Sequence, residues 1–196
     1  MRQLRQALLG CAVALAGCAQ HEVRVESPTL VRAGLVYERT ADGRELLLIR
    51  EYYDDVKLPG GEERWRVQYL WDYANGVAVQ RIFNNDGSLQ SLEPKPALTL
   101  HATEAEVEFA IELVKGDPVI APHLTSDATY HGGFSFREPT VPACNMRSRC
   151  VHVFAVRDNG NVRLVHSIVD LMTARVVIRD YDHDLKPAAD AAYIKG

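Results

Sequence analysis

The stretch TEAEVEFAIELVK, residues 103–115, decides the fold because it is the segment that most clearly predicts a helix. Thr103 and Glu106 form a capping box, in which the threonine accepts a hydrogen bond from the first turn and the glutamate reaches back. Apolar residues at helical spacing then predict a core-facing stripe: Val107, Ala110, Ile111 and Val114. Gly116 and Pro118 end the helix.

Ahead of this helix, the sequence predicts strands joined by tight turns. Asp42-Gly43 and Asn75-Gly76 each separate two strand-like runs and are typical of two-residue hairpin turns. Alternation along residues 64–74 predicts one buried face, made by Trp65, Val67, Tyr69 and Trp71. The stretch YYDDVKLPGGEE, residues 52–63, is expected to be a loop.

After the helix, a second group of strands is expected. Residues 130–138 are extended, and three further runs predict an antiparallel meander: 150–157, 162–171 and 174–182. Strands, one helix and then strands predict an α+β fold that is mostly β, with antiparallel sheet packed on the helix. The globular part spans residues 30–185, as one domain or as two halves, 30–98 and 99–185, before a tail of residues 186–196.

The N-terminus has the features of a secretory signal. Arg2 and Arg5 precede an apolar run from residue 7 to residue 16, which is shorter than the about 20 residues that cross a bilayer. The following Leu-Ala-Gly-Cys, residues 15–18, resembles the lipobox of bacterial lipoproteins. This resemblance implies that residues 1–17 are removed and that Cys18 becomes the lipid-modified first residue.

The same resemblance implies a place in the cell envelope. Residue 19 is Ala rather than Asp, which in proteobacterial sorting favours the outer membrane, so the protein is expected to face the periplasm. Residues 18–29 are polar and contain Pro28, as expected of a short tether between lipid and fold. The expected contact with the membrane is therefore a lipid anchor.

Composition limits the classes of partner. The chain of 196 residues carries a formal net charge of −4, and removal of residues 1–17 takes away two of its 22 basic residues and none of its 26 acidic ones, which leaves −6. An acidic chain has no overall attraction for nucleic acid or for an anionic membrane surface. The sequence therefore predicts no nucleic-acid partner.

Two cysteines remain after Cys11 leaves with the signal and Cys18 is acylated. In an oxidising compartment, Cys144 and Cys150 are expected to form a disulfide. A zinc site, which needs about four ligands, and a redox pair, usually spaced Cys-x-x-Cys, are the alternatives. Arg147 and Arg149 between the cysteines are interpreted as a small cationic contact loop for an anionic partner, or as a solvated turn.

Two stretches resemble a known family. TLHATEAEVEFAIELVKGDPVI, residues 99–120, resembles the helix that opens the small N-terminal domains of copper amine oxidases, and VRLVHSIVDLMTARVVIRDYD, residues 162–182, resembles their closing hairpin. The resemblance implies a cystatin-like sheet wrapped on a helix. It does not imply the family's chemistry, because the Asn-Tyr and His-x-His motifs that supply its cofactor and bind its copper have no counterpart here.

His152 and His166 are the candidate metal ligands. If the meander pairs as expected, their side chains lie on neighbouring strands and on one face, an arrangement suited to copper or zinc. The alternative is a pair of partly buried histidines with backbone partners, and no cofactor is expected. A nucleophilic relay is not expected, because Ser167 points to the opposite face of the strand from His166.

These features predict a non-catalytic periplasmic lipoprotein that acts as a binding or scaffolding module, with another envelope protein as its partner. The candidate contact surfaces are residues 51–55 and the aromatic faces near Trp65 and Trp71, although these tryptophans also fit an ordinary core. The alternative function is a small envelope enzyme or metal-binding protein that uses His152 and His166.

Overall fold

Two antiparallel sheets and one α-helix make up the described part of the chain. The computed structural model describes residues 29–32 and 35–182, with side chains from residue 35 onward. The first sheet follows chain order and contains β1 (Thr29–Arg32), β2 (Leu35–Arg39), β3 (Glu45–Leu58), β4 (Gly61–Asp72), β5 (Val77–Phe83) and β6 (Leu89–Pro94). Helix α1 (Glu104–Gly116) comes next and packs on the second sheet.

The second sheet has the order β10-β9-β8-β7. Its strands are β7 (Thr129–Ser135), β8 (Cys150–Arg157), β9 (Val162–Asp170) and β10 (Arg175–Ile178). Short 3-10 turns occupy Ala121–His123, Pro142–Cys144 and Asp158–Gly160. The predicted α+β fold, mostly β with antiparallel sheets and one main helix, is confirmed. No helix within residues 35–182 has the length and apolar character needed to cross a bilayer.

Both hairpins form where the sequence predicted them, but their connections are longer than two residues: residues 40–44 join Arg39 to Glu45, and residues 73–76 join Asp72 to Val77. Gly43 and Gly76 adopt positive φ angles of 83° and 62°, a region that glycine enters without steric cost. The second turn is also held by Asp72, whose carboxylate accepts hydrogen bonds from the backbone N–H groups of Ala74 and Asn75. These turns set the register of the β2–β3 and β4–β5 pairs.

The prediction of a loop over residues 52–63 is wrong. β3 and β4 pair without interruption from Arg50↔Tyr69 to Leu58↔Gly61, so this segment is a long two-stranded ribbon. Side chains on both faces of the ribbon are mostly exposed, and alternation of apolar and polar residues arises only where one face is buried. The sequence therefore carried no periodic signal for these strands.

Helix α1 begins with the predicted capping box. Thr103 Oγ1 accepts a hydrogen bond from the Glu106 N–H at 3.2 Å, and Glu106 Oε2 accepts one from the Thr103 N–H at 2.7 Å. The buried face differs in part from the predicted stripe, because Ala110 and Val114 are buried whereas Val107 and Ile111 are half-buried. Glu106 completes the buried face.

A buried ion pair joins α1 to the segment before β8. Arg149 Nε and Nη2 donate to the two carboxylate oxygens of Glu106, each at 2.8 Å, in a bidentate pair. From the turn that follows β4, the Tyr73 hydroxyl donates to Glu106 Oε1 at 2.5 Å. The remaining Arg149 donors reach the carbonyl oxygens of Leu100 and His101, so the guanidinium is well supplied with acceptors.

The ionisation of this cluster follows from its contacts. Burial alone would raise the pKa of Glu106, but the hydrogen bonds and charge of Arg149 outweigh that cost and hold the pKa below its usual value. Burial and the neighbouring Glu106 carboxylate raise the pKa of Tyr73. The cluster therefore holds a carboxylate, a guanidinium and a neutral phenol.

Arg149 is consequently not part of an exposed contact loop, and that expectation is wrong. The residue is 5% exposed, because its guanidinium turns inward to meet Glu106 and lies 5.1 Å from the ring of Trp71. Arg147, two residues earlier, is exposed, and its guanidinium donates to the Asn75 carbonyl at 3.4 Å. Only Arg147 remains as a surface cation of this loop.

Both sheets contribute to one hydrophobic cluster. Its buried members include residues of the first sheet (Leu35, Tyr37, Trp71, Ala78), of α1 (Ala110, Val114) and of the second sheet (Val151, Val153, Ala155, Val165). The first sheet thus packs against the same core as the helix and the second sheet, and the Glu106–Arg149 pair lies where these three parts meet.

The predicted disulfide between Cys144 and Cys150 is present. Both cysteines are buried in a smaller cluster with Phe136, Val141, Ile168 and Ile178. The disulfide closes a short loop and so restricts the conformations of the unfolded chain, which stabilises the folded protein by about 2 kcal/mol. The disulfide also positions Arg149, which directly precedes Cys150, for its contact with Glu106.

Replacing Arg149 with Met should lower the free energy of unfolding by about 3–5 kcal/mol, because it leaves the Glu106 carboxylate buried without its counter-charge. Arg147→Met is the matched control from the same loop, and should change stability by less than about 0.5 kcal/mol. Urea unfolding of the three proteins measures both effects. Equal effects of the two substitutions would contradict the buried pair.

Candidate functional site

The outer face of the second sheet, opposite α1, carries a group of ring side chains. Residues alternate between the faces of a strand, so that in β8 Val151 and Val153 pack in the core while His152 and Phe154 point outward. β9 adds His166, which lies directly opposite Phe154 in the register. The predicted arrangement of His152 and His166 on neighbouring strands and one face is confirmed.

The two histidines contact each other directly. His152 Nδ1 lies 2.8 Å from His166 Nε2, a hydrogen-bond distance at which one nitrogen donates and the other accepts. Phe154 stacks on the His166 ring with centroids 4.1 Å apart. Phe136 meets His152 edge-on at 5.2 Å, and Tyr181 meets His166 edge-on at 5.1 Å. The surrounding rings restrict rotation of both imidazoles.

A cavity of about 410 Å³ opens over this pair. Its lining includes His152, Phe154 and His166, together with Phe134, Ser135, Phe136, Arg137, Glu138 and Tyr181. Phe134 is 60% exposed and stands at the surface. The lining is mainly aromatic with a few polar groups, which is the usual character of a site for a small ligand.

Glycine at position 132 permits the close pairing that builds one wall of the cavity. A Cβ at Gly132 would lie 2.2 Å from the His152 carbonyl oxygen, so no other residue fits without moving the strand. The β7–β8 register shifts between Gly132 and Ser135, as in a β-bulge. Phe134 and Ser135, which line the cavity, follow this irregularity.

Both imidazoles are held in their neutral form near pH 7. Burial, with smaller contributions from His152 and Arg163, lowers the pKa of His166 to about 4. Burial also lowers the pKa of His152. A neutral pair that shares one hydrogen bond presents one further N–H and one further lone pair, so it can bind a ligand that both accepts and donates a hydrogen bond.

Metal binding at this pair stays a prediction. Within residues 35–182, no group of three or more His, Cys, Asp or Glu side chains is placed to hold a metal ion. His131 lies on the same face, stacked on Phe154 at 5.0 Å, and His183 lies outside the described residues. A metal at His152 and His166 would therefore rely on two protein nitrogens from the described chain.

The other sequence candidates are placed apart from the cavity or outside the described chain. Ser167 points into the protein, and its hydroxyl donates to the Arg179 carbonyl, consistent with the expectation of no nucleophilic relay. Cys18, the predicted lipidation site, lies outside the described residues. Trp71 is buried in the core, whereas Trp65 is half-buried and its indole N–H donates to the carboxylate of Glu63 at 3.2 Å.

The ribbon of residues 52–63 is a second exposed feature, on the first sheet. β2 pairs with β3 only at Glu45 and Leu46, and β5 pairs with β4 only from Arg66 onward. Within the described chain, the backbones of the two ribbon strands therefore pair only with each other, and their outer edges have no neighbouring strand. The ribbon contains four acidic residues and one lysine, and Tyr53 is 57% exposed.

Sequence reasoning missed the ring cluster and the ribbon. A signal for the cluster was present in β8, where Phe154 follows His152 by two residues and so lies on the same face. Phe136 and Tyr181 come from segments outside β8 and β9, and their approach depends on the tertiary fold.

Comparisons with known proteins identify no family for the chain. No protein-family model matches it, and no curated protein matches it. Among solved structures, a copper-containing benzylamine oxidase from Hansenula polymorpha matches 68% of this chain and 26% of its own, with a TM-score of 0.44 and 11% sequence identity. This is a distant structural match to a copper amine oxidase, and the present chain spans 26% of that protein's chain.

Stability should fall as the pH is lowered from about 6.5 to 4. The unfolded chain takes up a proton at His166 near pH 6.5, whereas the folded protein does so only near pH 4, so protonation lowers the free energy of the unfolded state relative to the folded state across this window. His166→Gln should reduce this loss by about 1–2 kcal/mol, allowing for partial solvation of the ring.

Urea unfolding at several pH values between 4 and 7 measures the effect. The matched control is His123→Gln, which removes an exposed histidine and should leave the pH dependence unchanged. Identical pH profiles for the wild-type protein and His166→Gln would contradict the buried neutral imidazole.

Proposed function

We propose that the protein is a non-catalytic, lipid-anchored module of the bacterial cell envelope that binds another envelope protein through the ribbon of residues 52–63. The observation that carries this proposal is the ribbon itself, a two-stranded extension with exposed side chains and unpaired outer edges. A surface of this kind contributes little to the core, so stability alone gives no reason for its length.

The unpaired edges suit recognition by strand addition. The backbone N–H and C=O groups along an edge can pair with an extended segment of a partner, while side chains on alternate positions supply specificity. The irregularity between Leu48 and Arg50, and the charged residues along β3, oppose pairing with a second copy of the same edge. The ribbon is therefore suited to a partner of different charge.

Charge indicates which partner the ribbon fits. Asp54, Asp55, Glu62 and Glu63 outnumber Lys57, which gives residues 52–63 a net charge of −3. Tyr53 and Leu58 add exposed apolar area, with 57% and 37% of their surface accessible. The guanidinium of Arg64, which follows the ribbon, already lies 5.0 Å from the centre of the Tyr53 ring and 3.9 Å from Asp55. An extended segment rich in Lys or Arg therefore complements mainly the remaining acidic residues, Asp54, Glu62 and Glu63.

The envelope location rests on the N-terminal sequence and agrees with the disulfide. The charged start, the apolar run and the Leu-Ala-Gly-Cys at residues 15–18 support export and lipidation at Cys18. A buried structural disulfide between Cys144 and Cys150 is favoured in the periplasm, where disulfides form and persist. The outer membrane, as favoured by Ala19, is the proposed site of the anchor.

Cys18→Ser should abolish membrane anchoring. The wild-type protein is expected in the outer-membrane fraction and to incorporate labelled fatty acid, whereas the variant remains unlabelled and separates from the lipidated form. Fractionation of bacterial cells with immunoblotting measures the distribution. A wild-type protein that carries no label and behaves like the variant would contradict the anchor.

A photo-crosslinking residue in place of Tyr53 should capture one defined envelope protein in living cells, because Tyr53 lies on the ribbon. The same residue in place of Val119, which is 43% exposed and distant in sequence, provides the control and should capture little. The captured partner is identified by mass spectrometry and its binding is then measured with purified proteins.

Charge reversal tests whether the ribbon determines that binding. The double substitution Glu62→Lys with Glu63→Lys should weaken binding to the purified partner at least tenfold, and added salt should weaken wild-type binding. The matched control is Glu108→Lys with Glu112→Lys, which makes the same charge change on exposed positions of α1. If both double variants lose the same amount of binding affinity, the effect is one of overall charge, and the proposal that the ribbon is the contact surface is wrong.

A further inference from the structure

The cavity on the outer face of the second sheet forms a site distinct from the ribbon. We infer that it binds an uncharged aromatic molecule of one or two rings that carries a hydroxyl group, with the hydroxyl hydrogen-bonded to His152 Nε2. This inference concerns a different face of the molecule and does not depend on the proposed partner of the ribbon.

The walls of the cavity suit an aromatic ring. The rings of Phe134, Phe136, Phe154 and Tyr181 all line it, and its volume of about 410 Å³ lies in the range usual for small-ligand sites. Phe136 and Tyr181 stand edge-on to each other with centroids 5.2 Å apart. Because aromatic rings attract one another in edge-on and offset-stacked arrangements, a planar ligand can pack against these walls. It would also cover part of Phe134, which is 60% exposed.

The imidazole pair supplies the polar contact. Two neutral imidazoles carry two protons: one lies in the hydrogen bond between His152 Nδ1 and His166 Nε2, and the other lies on an outer nitrogen. When His152 donates the shared proton, its Nε2 has a free lone pair, and when His166 donates it, His152 Nε2 carries a hydrogen. A hydroxyl group both donates and accepts, so it matches His152 Nε2 in either arrangement. His152 is half-buried whereas His166 is 7% exposed, so His152 is the more accessible ring.

The charges around the cavity favour an uncharged ligand. Burial lowers the pKa of both imidazoles, so neither is cationic near pH 7. Arg137 and Glu138, which both line the cavity, carry opposite charges. Arg163 and Asp180 act on His166 in opposite directions. A charged ligand would therefore lose hydration without gaining a net opposite charge.

Equilibrium dialysis of the full-length lipoprotein tests the inference, with naphthol, naphthalene and naphthoate as probes. The three share one two-ring skeleton and differ in one substituent, which is a hydroxyl, a hydrogen or a carboxylate. Protein-free detergent micelles on the other side of the membrane correct for partition of the probes into the micelle. We expect one naphthol per chain, bound about tenfold more tightly than naphthalene because of one added hydrogen bond, and more tightly than naphthoate.

Three results would overturn the proposal. Equal binding of naphthol and naphthalene would show that the hydroxyl makes no contact. Tighter binding of naphthoate would show a site for anions, and uptake that does not exceed the micelle control would show no site. Nitrogen NMR of the wild-type protein with labelled histidine locates the contact: naphthol should shift the His152 Nε2 resonance more than naphthalene does. An Nε2 resonance that bound naphthol leaves unshifted would contradict the assigned contact.

One variant separates the hydrogen bond from the aromatic packing. His152→Phe keeps a ring in the wall but removes its nitrogens, so naphthol and naphthalene should bind with affinities within about twofold of each other. The matched control His131→Phe makes the same change on the same face, at an exposed ring outside the cavity lining, and should keep the preference for naphthol. A preference that persists in His152→Phe, or that the control loses equally, would overturn the proposal. If His152→Phe fails to fold, the dialysis and NMR results of the wild-type protein decide.

Discussion

The buried Glu106–Arg149 pair is the interaction on which the rest of the structure depends. It links the first turn of α1 to the residue before β8, and the Tyr73 hydroxyl extends it to the first sheet. A charge pair with almost no solvent access is stable only when both partners keep their geometry. The disulfide at Cys150 limits the position of the neighbouring Arg149, and the capping box limits the position of the Glu106 side chain. Both partners of the ion pair are therefore held in place by the structure around them.

This arrangement leaves two surfaces that the core does not use. One is the ribbon of residues 52–63, which extends past the strands that would have covered its edges. The other is the outer face of the second sheet, where the helix covers the opposite side and ring side chains surround His152 and His166. We propose protein recognition for the first surface. Neither surface shares residues with the Glu106–Arg149 pair, so each can be altered without removing the contact that holds the fold.

Local chemistry explains which features were predictable. The capping box at Thr103 and Glu106 and the glycines at positions 43 and 76 specify their own backbone geometry, and the expected helix and hairpins were found. The placement of His152 beside His166 followed from strand alternation and one turn. By contrast, the side chain of Arg149 points inward because it binds Glu106, 43 residues away in the sequence. The residues next to Arg149 therefore give no indication of its direction. The ribbon was missed because exposure of both faces removes the alternation on which strand prediction depends.

Native-state hydrogen exchange tests most directly whether one buried pair unites the two sheets. Core amides of β4, such as that of Leu70, and of β8, such as that of Val153, should exchange through the same global opening with the same free energy. Arg149→Met should then lower the protection of both sheets equally. If the β8 amides lose protection while those of β4 keep theirs, the two sheets are separate units and the account is wrong.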